Sequence, residues 1–83
     1  MNKYYVTMTD KFMSGWGMAD KKTNKLVFIC DSYSDAITVE NYAKTRIEMK
    51  YINIRATKPY YNSKYNYVQY IDKNVYPSWY GIN

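Results

Sequence analysis

Two hydrophobic periods run along the chain, and each predicts a different element. In "KYYVTMT" apolar and polar positions alternate, with Tyr4, Val6 and Met8 on one face and Tyr5, Thr7 and Thr9 on the other. This predicts a strand over residues 3–9. In "DKFMSGWGMADKKTNKLVFICD" a polar cluster from Asp20 to Lys25 separates two apolar runs. The pattern predicts a hairpin with strands near residues 14–19 and 25–30 and a turn at "DKKTN". Gly15 and Gly17 flank Trp16 and read as a bend or bulge that re-aims the indole.

After Cys30 the period lengthens. In "DSYSDAITVENYAKTRI" Ala36, Val39, Ala43 and Ile47 follow the spacing of one helical face, with Asp35, Glu40 and Lys44 elsewhere on the wheel. Ser32 is placed to cap this helix, Asp35 lies in its first turn, and Lys44 and Arg46 lie near its end, as the helix dipole favours. Alternation returns in "KYINIRA", where Ile52, Ile54 and Ala56 oppose Tyr51, Asn53 and Arg55. A loop at "TKPYYNSK", marked by Pro59 and Asn62-Ser63, leads to a last strand in "YNYVQYI". There Tyr65, Tyr67, Gln69 and Ile71 face one way and Asn66, Val68 and Tyr70 the other. The tail "DKNVYPSWYGIN" turns at Pro77 and carries Trp79. The predicted fold is α+β: a small antiparallel β-sheet of four to five strands with one α-helix packed across one face. All 83 residues form a single domain.

Composition narrows the chemistry. Hydrophobic residues make up 47% of the chain and twelve residues are tyrosine, which is enough apolar area for a folded core. No run approaches the roughly 18 apolar residues of a membrane span, and "MNKYYVTMTDK" lacks a secretory core. The expectation is a protein of the cytoplasm, with no membrane partner. Cys30 is the only cysteine and sits in the apolar "KLVFICD", as a buried structural thiol would. With no histidine and no second cysteine, the usual zinc and iron-sulfur ligand sets cannot form within one chain. No metal and no cofactor is expected.

The same absence removes Ser-His and Cys-His nucleophile pairs and the commonest general base. Glu48-Met49-Lys50 spells E-x-K ahead of a strand, with Asp31 upstream, but these carboxylates flank a helix and lack a supporting third acid. "SGWG" has no helix behind it to present an N-terminus to phosphate. These readings point away from an enzyme and toward binding.

The charge pattern says what kind of partner. The window from Lys44 to Lys64 holds Lys44, Arg46, Lys50, Arg55, Lys58 and Lys64 against Glu48 alone, which equals the net +5 of the whole chain. Overlapping it, "KPYYNSKYNYVQY" interleaves five tyrosines with lysines and has no acid. Two readings fit. Tyrosine rings could stack bases while cations meet phosphates, making the chain a direct single- or double-stranded nucleic-acid binder. Alternatively, an aromatic and basic surface could grip another protein, since Tyr, Trp, Met and Arg dominate interface cores. Either way the candidate face is Tyr51, Arg55, Lys58, Tyr60, Lys64, Tyr65 and Tyr67, with Trp16 and Trp79 as secondary anchors. Exposed edge strands leave a homodimer open.

The run "YYVTMTDKFMSGWGMADKKTNKLVFICDSYSDA", continuing to "MKYINI" and "KPYY", resembles a set of small proteins encoded by bacteriophages, prophages and plasmids. The order of strands, helix and strands, with a basic region after the helix, is also similar in layout to some small anti-CRISPR proteins. The resemblance implies a non-enzymatic phage protein that inhibits a host defence complex. Its partner would be a host protein or ribonucleoprotein such as a CRISPR effector.

Overall fold

The structure, a computed structural model, describes residues 3–12, 14–15, 17–72 and 74. Its elements are β1 (Tyr4–Asp10), β2 (Thr23–Cys30), α1 (Tyr33–Lys44), β3 (Met49–Arg55) and β4 (Asn66–Ile71), with a short 3-10 helix at Gly17–Ala19. The strands form one sheet in the order β3-β1-β2-β4, and α1 lies across one face of it. The architecture is thus the α+β arrangement the two periods predict.

The first hairpin differs from expectation. The described residues 14–15 and 17–19 form no strand; β2 pairs with β1 instead, in antiparallel register with Val6 opposite Phe28. The glycines explain why. Gly15 at φ 85° and Gly17 at φ 53° turn the chain back on itself, and the Gly15 N–H donates to the carbonyls of Ala19 (3.1 Å) and Lys22 (3.0 Å). Such left-handed positions suit glycine and interrupt a strand.

The helix begins where its cap predicts. The Ser32 side-chain oxygen accepts from the Asp35 N–H at 3.1 Å, satisfying one of the orphan donors of the first turn. It ends at Lys44, where the Thr45 hydroxyl donates to the Tyr42 carbonyl at 2.7 Å. Ile47 therefore falls past the helix and is 74% exposed, so the buried stripe is only Ala36, Val39 and Ala43. These small side chains let α1 sit close to the sheet. Beneath them Val6, Met8, Leu26, Phe28, Cys30 and Met49 form the core, with Tyr4, Ile52, Ile54 and Ile71 packed around it. Among the described residues Phe28 is the largest fully buried side chain.

The other face is covered in another way. β3 and β1 pair antiparallel, as do β1 and β2, while β4 pairs parallel to β2. β3 and β4 therefore run in the same direction at opposite edges, and the sheet is mixed rather than wholly antiparallel. Residues 56–65 must carry the chain back along the strands and across the sheet. Returning about 23 Å along the strand and about 14 Å sideways, three strand spacings, takes about 27 Å. Ten residues reach about 33 Å at most. The link leaves no room for the helix that usually makes such a crossover, and it ends in a turn where the Tyr65 and Asn66 N–H groups donate to the Asn62 carbonyl at 3.1 and 3.0 Å. It lies as a strap over the face away from α1. There Thr7, Thr9 and Val27 are buried, Pro59 is buried with them, and the Tyr70 hydroxyl donates to the Pro59 carbonyl at 3.4 Å.

Candidate functional site

Strand register decides which side chains share the strap face. Opposite pairs on that side are Tyr5 with Ile29 and Arg55, Thr7 with Val27 and Asn53, and Thr9 with Lys25 and Lys50. β4 adds Val68 beside Lys25 and Tyr70 beside Val27. Of the residues expected to form a face, Tyr51 and Arg55 lie on the β3 edge and Lys58 and Tyr60 on the strap. Lys64 and Tyr65 occupy the turn into β4. Tyr67 is the exception: it stands beside Asn24, in the row that continues through Leu26 and Phe28, and so belongs to the helix side. Trp16 and Trp79 lie outside the described residues.

The centre of the face is a residue that the composition of the 44–64 window did not mark. Lys25 donates from Nζ to Thr9 Oγ1 at 2.7 Å, and its ammonium lies 6.0 Å from the Tyr51 ring centre and 5.5 Å from that of Tyr61. A strand, its neighbour's neighbour and the strap thus converge on one charge. Each ring offers its negative face to the cation. Burial pushes the Lys25 pKa below the ordinary lysine value, because no carboxylate offsets the water it has lost. Two further pairs repeat the motif, with the Lys58 ammonium 4.7 Å from the Tyr70 ring and that of Lys64 5.5 Å from the Tyr65 ring.

Tyr51 reaches this position through a bulge. Thr7 pairs with Asn53 and Thr9 with Lys50, so three steps on β3 oppose two on β1. Tyr51 takes up the extra residue at φ 57°, a left-handed conformation that costs a residue with a Cβ about 1–2 kcal/mol. Its ring is nevertheless 69% exposed, so little packing offsets the strain.

Charge is segregated between the two sides. Lys11, Lys25, Lys50, Arg55, Lys58 and Lys64 are half of the twelve cations, and all lie on strap-side strand positions, on the strap or at the adjoining end of β1. Asp10 closes β1 in the helix-side row, opposite Met49, and Asp72 follows β4, but no acid occupies a paired strap-side strand position or residues 56–65 of the strap. Among the described residues, none of these six cations is paired with a carboxylate. Elsewhere three cations are paired with acids: Lys3 with Asp31 at 2.8 Å, Lys44 with Glu40 at 3.8 Å and Arg46 with Glu48 at 2.8 Å. Asp31 and Glu48, the acids of the E-x-K reading, sit at opposite ends of the twelve-residue α1, about 18 Å of helix apart. They share no site.

At the end of the strap face where β2 begins, the surface opens into a cleft of about 490 Å³ lined by Thr9, Lys11, Ser14, Thr23, Lys25, Tyr51 and Asn66. Its lining holds two ammonium groups, three hydroxyls, an amide and a phenol, but no carboxylate. On the opposite side Phe12 and Ile47 are exposed beside the Arg46–Glu48 pair, forming a second, more apolar depression. Among the described residues no helix is long and apolar enough to cross a membrane. No family model, curated protein or solved structure matches the chain.

Proposed function

We propose that this protein is a binding protein and not an enzyme, and that it acts by laying its strap face on a polyanionic surface and blocking it. One observation carries the reading: the strap face, with Lys11 at its edge, gathers half the cations, no acid occupies its paired strand positions or the strap, and among the described residues none of those cations is paired with a carboxylate. A field of one sign steers and holds a partner of the other. The tyrosines add rigid apolar area around each charge, which favours a contact of defined geometry over diffuse attraction.

In the setting that the sequence resemblance implies, a phage or plasmid protein in a bacterial cytoplasm, this activity is inhibition of a host defence complex such as a CRISPR effector. A basic face does not imitate DNA. It occupies the nucleic acid of such a complex, or an acidic protein patch beside it.

The test is Arg55→Glu together with Lys58→Glu, both exposed, measured by binding to a labelled oligonucleotide across a salt series. Wild type is expected to bind with affinity that falls steeply as salt rises, and the double variant to lose most of that affinity. Wild-type binding that is insensitive to salt, or unchanged by the two reversals, would move the site away from the strap face.

A further inference from the structure

The cleft at the open end of the strap face has a more specific chemistry than the face as a whole. Lys25 has three N–H donors and spends one on Thr9 Oγ1, which leaves two. Thr9 Oγ1 accepts from Lys25, so its own hydrogen remains available to donate. Lys11 is exposed at the cleft rim, and the Thr23 hydroxyl lines the wall. Ser14 is already committed: its hydroxyl donates to the Asp10 carbonyl at 2.8 Å and accepts from the Asn24 N–H at 2.9 Å, which fixes the cleft wall. Asn66 is likewise held, its Nδ2 donating to the Asn62 carbonyl at 3.0 Å.

The available groups are donors, two of them charged, on a pre-set wall with no carboxylate among them. That is a seat for a tetrahedral oxyanion. Tyr51 forms one side, with one ring face toward the Lys25 ammonium and most of the ring open to solvent. An anion with a flat group attached one sugar away meets both features, and bases of single-stranded nucleic acid are unpaired and able to stack on such rings. A duplex keeps its bases inside the stack, and a polyglutamate-like acidic peptide has no ring to place on Tyr51.

Resting on the polyanion reading above, we infer that the Thr9–Lys11–Thr23–Lys25 cleft holds a backbone phosphate of single-stranded nucleic acid, with the neighbouring base stacked on Tyr51. A bound phosphate would supply the counter-charge that Lys25 lacks in the free protein, and its lowered pKa agrees with that vacancy of charge.

The experiment follows backbone amide resonances of the labelled protein with three probes: inorganic phosphate, a short oligothymidylate and a polyglutamate peptide. It is repeated with Lys25→Met, which keeps the unbranched stem between the two rings, and with Lys11→Gln at an exposed position where folding is not at stake. The oligothymidylate is expected to shift Thr9, Thr23, Lys25 and Asn66. Each variant is expected to bind it about tenfold more weakly and to lower the salt slope by about one. Inorganic phosphate at higher concentration should shift the same residues.

Three results would overturn the inference. Oligothymidylate binding with unchanged affinity and slope in both variants would mean that the phosphate seat lies elsewhere on the strap face, while the polyanion reading stands. Equal cleft shifts with polyglutamate would make the cleft a carboxylate site and the partner an acidic protein. Absence of oligothymidylate binding by wild type, with or without polyglutamate binding, would remove nucleic acid as the ligand.

Discussion

The two faces of one four-stranded sheet are covered by opposite means. On one side a capped helix lays three small residues onto Phe28, Met8 and Val6, with the Lys44–Glu40 and Arg46–Glu48 pairs at its end. On the other a strap crosses over Thr7, Thr9 and Val27, and the charges there are left unpaired among rings. The first arrangement maximises burial and neutrality. The second gives up both, holding a desolvated lysine and a left-handed tyrosine where simpler residues would be more stable. The helix side carries the larger buried core, and the strap side carries the cations that lack a carboxylate partner among the described residues.

Substitutions sharpen that contrast. The largest effect belongs to the helix side: Phe28→Ala should destabilise the protein by about 3–5 kcal/mol in chemical denaturation. Tyr60→Ala on the strap, at a residue 87% exposed, should stay within about 0.5 kcal/mol. Similar losses at both positions would mean that the strap is part of the core rather than a cover.

A smaller effect separates strain from contact at Tyr51. Both Tyr51→Ala and Tyr51→Gly remove the ring and should weaken oligonucleotide binding alike. Only glycine relieves the left-handed backbone, so the glycine variant should be more stable than the alanine variant by about 1 kcal/mol. Equal stability would show that the bulge relaxes once the ring is gone.

The smallest effect is a titration. The Lys25 side chain should deprotonate with a midpoint below 10.5, followed by nitrogen chemical shift, because burial lowers its pKa. Between that midpoint and 10.5 the unfolded chain binds more protons at this site than the folded one, so this lysine's contribution to stability rises with pH. Polyanion binding has the opposite sign: it favours the charged form, raises the midpoint and weakens as pH climbs through the free protein's value. A midpoint at or above 10.5 in the free protein would contradict the desolvated setting.

Much of this was legible in the chain. Alternation in "KYYVTMT" and "KYINIRA" and the longer period from Ala36 to Ala43 mark β1, β3 and α1, and Ser32 marks the helix start, because each signal is local. Three features escaped. Glycine geometry replaced a strand at residues 14–19 with a turn, although the apolar run looked like one. The parallel placement of β4 depends on the reach of the strap, which no periodicity encodes. That placement also put Tyr67 on the helix side, in the row of Leu26 and Phe28. Lys25 ends a polar cluster and was read as the first residue of the second hairpin strand, with no face assigned to it. Its alternation with Val27 and Ile29 was the signal that it points to the strap face.

The central claim is that the strap face, and not net charge, binds the partner. Lys50 on the strap side and Lys44 on α1 are both exposed, and reversing either changes the net charge by the same amount. The most direct measurement compares Lys50→Glu with Lys44→Glu for affinity to the same oligonucleotide at the same salt. Loss of about tenfold for Lys50→Glu, with Lys44→Glu close to wild type, is the predicted result. Equal loss in both would make the attraction a property of overall charge, and no loss in either would remove the strap face from binding.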